Sequence, residues 1–266
     1  MLGKAGRREL LWEFAGGMAE LTALIFDFDG TIAETERDGH RVAYNAAFED
    51  AGVSWRWDVA TYGKLLAIAG GKERLNAFLS RERPDIAQPE RSSLVARLHE
   101  AKRHHFDRLA ETLAFRPGVI RLVAQARAAG VRCAIATTAA PSGVEALLRR
   151  DPVFAASFEV IAAGDMVKHK KPAPDIFLLA LERLGIDAGR AVAFEDSNVG
   201  LRAAQAAKIA TIVTPSIYTE GEDFAMATSV IEHLGEPGDA PRVFAGPGLP
   251  RGYVDLTFVA SACARD

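Results

Sequence analysis

Cysteine is almost missing from this chain: among 266 residues only Cys133 and Cys263 occur, far apart in the sequence. Two such thiols offer neither a disulfide framework nor a paired metal motif, so a reducing, cytoplasmic setting is expected. Long apolar runs are missing as well, and none approaches the roughly 20 residues that a membrane span needs. The opening stretch MLGKAGRRELLWEFAGGMAE lacks the apolar centre of a secretory signal. It reads as an N-terminal extension, 1–20, with Met18 as an alternative start. Nor is there an excess of charge of one sign. With 32 basic and 35 acidic residues the net charge is −3, which gives no pull toward nucleic acid or an anionic membrane. The expected partner is a small molecule and the expected state a monomer.

What is present is a rhythm. Apolar runs recur at ALIFDF (23–28), VRCAIAT (131–137), FEVIAA (158–163), AVAFED (191–196) and IATIV (209–213). They are continuous rather than alternating, as strands buried on both faces are. Helical patterns lie between them at 118–129, 174–184 and 198–207. Strand and helix in repetition predict an α/β fold around a Rossmann-like parallel sheet. One gap breaks the order: 36–115 reads as helices only, at 39–51, 58–68, 71–80 and 90–113. The expected division is therefore an α/β core of 21–35 and 116–235, a helical cap of 36–115 over the strand ends, and an irregular tail of 236–266.

In open α/β sheets the chemistry lies at the carboxyl ends of the strands. The first run ends at Asp27 and Asp29, the second at Thr137 and Thr138, the fourth at Glu195 and Asp196, and KHKKPAPD (168–175) follows the third. Carboxylates gathered in a buried place need a counter-charge. Hard oxygen donors without histidine or cysteine suit Mg²⁺, and lysine and threonine beside them suit a phosphoryl group. One aspartate can attack phosphorus, and a second, one residue away, can donate and recover a proton. Singly each motif has a plainer reading, as a strand-to-turn junction, a solvated loop or a helix N-terminus; together and in order they point to catalysis.

The four motifs DFDGT, AIATT, KKPAPDIF and FEDSNVGLRAA resemble those of the haloacid dehalogenase (HAD) superfamily, in the branch with a helical cap after the first motif. The resemblance implies a phosphatase in which Asp27 is the nucleophile and Asp29 the acid/base, also a metal ligand through its backbone carbonyl. By the same resemblance Thr137 donates to phosphate, Lys171 is the charge partner, and Glu195 and Asp196 bind Mg²⁺ together with Asp27. Within the superfamily, AETERDGHRVAYNAAF and WDVATYGKLLAIAGGKERLNAF resemble CbbY-like proteins, which are phosphatases of sugar phosphates, xylulose-1,5-bisphosphate among them. In the cap, GGKER (70–74) offers Lys72 and Arg74 to a distal phosphate. Glu34, His40 and Tyr62 are candidate sugar contacts, and Thr138 and Asn198 are further candidate substrate-binding residues. Two rivals share these core residues in whole or part: a phosphomutase of β-phosphoglucomutase type and a phospho-accepting signalling domain.

Overall fold

The computed structural model describes residues 21–68 and 70–263, so the expectations for 1–20 lie outside the described residues. Seven strands form one sheet: β1 (Ala23–Phe26), β2 (Arg132–Thr137), β3 (Phe158–Ala163), β4 (Ala191–Glu195), β5 (Ala210–Val213), β6 (Ser229–Ile231) and β7 (Val243–Ala245). Their order is β3-β2-β1-β4-β5-β6-β7, parallel throughout except for β7. β1 is flanked by β2 on one side and β4 on the other, which opens the crevice where the order reverses.

Alternation along β1 explains both faces of the sheet. Leu24 and Phe26 join one buried cluster with α5 (Val119–Ala129), α6 (Pro141–Leu148) and α9 (Leu256–Cys263). Ala23 and Ile25 join the other, with α7 (Asp175–Leu184) and α8 (Asn198–Ala206). Because each face is covered by helices, the strands can be apolar at every position.

Between β1 and β2 the described elements are helical: a π-helical segment Thr35–His40, then α1 (Arg41–Asp50), α2 (Val59–Leu65), α3 (Gly71–Glu82) and α4 (Gln88–Ala110). This block has its own apolar cluster, in which Tyr44, Phe48, Trp57, Tyr62 and Leu75 are buried. It joins the sheet through two linkers that pair at Ala33 and Phe115, with the Arg116 N–H donating to the Ile32 carbonyl at 2.8 Å.

One expectation needs correction. The tail is not irregular throughout: β7 closes the sheet edge and α9 buries Phe258, Val259 and Ala262. Glycine and proline between 235 and 250 dominate the sequence there, while the helical spacing of those three residues follows only afterwards. β6, α6 and α9 were not expected either; a three-residue strand and two eight-residue helices are too short to leave a periodic signal.

Candidate active site

Asp27 stands one residue beyond β1, and its N–H donates to the Phe194 carbonyl at 2.9 Å, which sets it level with the end of β4. Glu195 and Asp196 emerge there, both buried. Lys171, from the loop after β3, places Nζ 2.5 Å from Asp27 Oδ1 and 2.6 Å from Glu195 Oε1. Two glycines make the approach possible. A Cβ at Gly200 would lie 1.9 Å from Glu195 Oε2, and one at Gly30, where φ is +77°, would lie 2.3 Å from Asp196 Oδ2. Thr137, at the end of β2, is buried, and its Oγ1 accepts from the Ala139 N–H at 3.0 Å.

The electrostatics reveal a shortage of positive charge. Burial raises the Asp27 carboxyl, against the attraction of Lys171, and repulsion from Asp29 adds to it. Burial likewise pushes Glu195 up to about 7 and Asp196 well above the usual carboxylate range, with Asp27 adding to both. Lys171 is held protonated, since Asp27 and Glu195 outweigh the effect of its burial. Oxygen atoms of Asp27, Glu195 and Asp196 lie within 4.8 Å of one another. An all-oxygen, anionic cluster whose members resist ionisation fits a hard divalent cation, which would relieve the repulsion. The Asp29 side chain is not one of these three.

Asp29 faces the helical block instead. Thr35 Oγ1 donates to Asp29 Oδ1, and His40 Nε2 lies 3.7 Å from the same oxygen. Thr35 and His40 are five residues apart in the π-helical segment, and that wider turn brings both to one carboxylate. His40 stacks on Phe106 with centroids 3.9 Å apart, and its Nδ1 is 2.8 Å from Lys102 Nζ. Burial, with Lys102 adding, lowers the imidazole to about 3, so it is neutral and its Nδ1 accepts a hydrogen bond from the Lys102 ammonium. Nε2 then carries the hydrogen toward Asp29. Burial brings Lys102 down to about 8, with Glu36 and Asp29 opposing.

A second polar group lies deeper in the block. The Tyr62 hydroxyl donates to Glu36 Oε2 at 2.5 Å, and Arg74 Nη1 donates to the same hydroxyl at 3.1 Å. Arg74 also donates from Nε to the Leu65 carbonyl at 3.1 Å and is buried, whereas Lys72 is exposed. The structure thus brings Arg74 and Tyr62 together and leaves Lys72 outside. Glu34 pairs with Arg116, Nε to Oε1 at 3.4 Å, at the linker. Thr138 is exposed. Asn198 is turned to structural use, its amide donating to the Asp223 carbonyl at 2.5 Å, while Ser197 Oγ caps α8 by accepting from the Gly200 N–H at 3.2 Å. Sequence reasoning missed Thr35, Glu36, Lys102 and Arg116. Only the pairing of Thr35 with His40 had a local signal, and it required a π-helical turn.

Over residues 21–208 the chain matches the model of the haloacid dehalogenase-like hydrolase family. The chain belongs to that family. Among its HAD relatives, a CbbY protein of Cupriavidus necator is 42% identical over 241 residues, which span 89% of this chain and 94% of that protein. The crystal structure of CbbY from Rhodobacter sphaeroides in complex with phosphate superposes with a TM-score of 0.71 at 45% identity, covering 82% of this chain and 96% of that one. A mutant of the same CbbY, in complex with xylulose-(1,5)bisphosphate, superposes with a TM-score of 0.71 at 44% identity, over the same shares of the two chains. The chain is a HAD phosphatase of the CbbY-like branch.

Proposed function

We propose that this phosphatase is Mg²⁺-dependent, acts on a sugar bisphosphate such as xylulose-1,5-bisphosphate, and works through an aspartyl-phosphate on Asp27. The observation that carries the reading is the Lys171 ammonium bridging Asp27 and Glu195 beside Asp196. The substrate class is supported by the CbbY complex with xylulose-(1,5)bisphosphate at 44% identity. In this reading the helical block is a cap over the α/β core.

Mg²⁺ held by Asp27, Glu195 and Asp196, with the Asp29 carbonyl expected to assist, would neutralise phosphate oxygens and leave Asp27 ionised. Lys171 holds the Asp27 carboxylate in place and adds a second positive charge, and the Thr137 hydroxyl donates to the phosphoryl group. An Asp27 oxygen attacks phosphorus as the bond to the sugar oxygen breaks, and Asp29 donates its proton to that oxygen. Burial favours the protonated form of Asp29 that this step needs. Asp29, now ionised, takes a proton from water whose oxygen attacks phosphorus, the bond to Asp27 breaks, and inorganic phosphate leaves. Arg74, with Tyr62 and Glu36 fixing its guanidinium, holds the distal phosphate in the cap.

The test is product analysis on a panel of sugar mono- and bisphosphates. Stoichiometric inorganic phosphate from a bisphosphate supports the reading. Isomerised sugar phosphate without phosphate release would replace it with the phosphomutase.

A further inference from the structure

Arg116 sits where the chain returns from the helical block, and its side chain gathers the ends of three strands. Nη1 donates to the Gly30 carbonyl after β1 and, at 2.7 Å, to the Thr214 carbonyl after β5. Nη2 donates to the Pro215 carbonyl at 3.0 Å and, at 2.8 Å, to the Glu232 carbonyl after β6. Nε faces Glu34 Oε1 at 3.4 Å, in the other linker. The residue is 9% exposed, too buried for water to replace these partners freely.

Both loops that Arg116 ties together flank Asp196. On one side Gly30 lies so near the carboxylate that a Cβ would collide with it at 2.3 Å. On the other, the segment after β5 reaches back: the Thr214 N–H donates to the Glu195 carbonyl at 2.8 Å, and Thr219 Oγ1 donates to the Asp196 carbonyl at 2.6 Å. A shift of either loop therefore moves a carboxylate of the cluster. We propose that Arg116 is a positioning residue that holds the loops after β1 and β5 in register and thereby sets the cation-binding geometry of Asp196. The proposal rests on the cation reading above.

The chain supplies its own control. Arg121 is a clamp of the same kind away from the site, donating to the carbonyls of Val254 at 2.9 Å and Gly235 at 2.7 Å and pairing with Glu236 at 3.1 Å. Lysine at either position keeps the positive charge, so repulsion of a cation is unchanged, but loses the fork that holds several carbonyls. Mn²⁺ binding to the substrate-free protein, followed by electron paramagnetic resonance, is the readout. Arg116→Lys should weaken Mn²⁺ binding about tenfold, as removal of an outer partner of a metal ligand does. Arg121→Lys should bind as wild type even where its melting temperature falls as far. Thr219→Val, which cuts the link to Asp196 and frees the Ser216 N–H beside the clamped Pro215 carbonyl but leaves Arg116 itself in place, should also weaken binding, and it carries the test should Arg116→Lys not fold. Wild-type affinity in Arg116→Lys or in Thr219→Val would overturn the proposal, as would an equal loss in Arg121→Lys. A wild-type protein that binds no Mn²⁺ would instead remove the cation reading on which the proposal stands.

Discussion

Raising the pH should tighten cation binding steeply, because burial holds the ligands partly protonated. Glu195 gives the scale: burial pushes it up to about 7, with Asp27 adding and Lys171 opposing. A cation that needs the carboxylate must displace its proton below that value. At about pH 5.5 roughly 3% of Glu195 is ionised, and at about pH 7.5 roughly three quarters. The apparent affinity should rise about 25-fold across that window, about 2 kcal/mol, if this one proton is displaced. Asp27 and Asp196 are raised as well, which steepens the dependence. His40, near 3, stays neutral throughout the window, and Lys102, near 8, begins to titrate only at its upper edge. The sign for stability is opposite without metal. Between the ordinary carboxylate value and about 7 the folded protein keeps a proton on Glu195 that the unfolded chain has lost, so this group's contribution falls as pH rises. Isothermal titration with Mg²⁺ in buffers of different ionisation enthalpy counts the protons released. About one or more per cation is expected near pH 6. A flat affinity between those two pH values, with no proton released, would refute the reasoning.

On a sugar bisphosphate, Arg74→Lys should lower kcat/KM about ten- to a hundredfold, the worth of a charge-assisted hydrogen bond of about 1.5 to 3 kcal/mol, while Lys72→Ala stays within about twofold. Parallel assays on a small phosphate monoester should show neither loss, and a larger loss for Lys72→Ala would return the distal phosphate to the exposed lysine. Gly200→Ala would ordinarily stabilise a helix by roughly 0.5 to 1 kcal/mol. Here the new methyl group meets Glu195, so Mn²⁺ affinity should fall, and spin-resonance titration checks it. Wild-type kcat should decline above about pH 8 as Lys102 loses its proton, and Lys102→Met should lower kcat about tenfold and abolish that limb in a pH–rate profile.

The core site was legible because each of its residues follows an apolar run long enough to be read as a strand, and strand ends converge in a parallel sheet. Asp27, Thr137, Glu195 and Asp196 followed from that rule, whereas Lys171 was singled out among the lysines of KHKKPAPD by the family resemblance. The helical block was less legible. Lys102 lies in a stretch, AKRHHFDR, where one half-buried cation looks like its solvated neighbours, and its partner His40 is 62 positions away. Arg74 and Lys72 are equivalent in composition, and only the helix phase distinguishes the buried guanidinium from the exposed ammonium. Arg116 reads as a residue before a Pro-Gly turn, and nothing local announces the four carbonyls it holds. Asn198 opens the helix that follows the core acids, and nothing in the sequence announces that its amide turns to the Asp223 carbonyl.

The central claim is that Asp27 carries the phosphoryl group. Acid quench during turnover of a sugar bisphosphate, followed by peptide mass spectrometry, tests it directly. The account predicts one phosphoryl group on the peptide containing Asp27, and a folded Asp27→Asn protein that neither labels nor releases phosphate. Turnover by Asp27→Asn near the wild-type rate, or a phosphoryl group trapped on another residue, would contradict it.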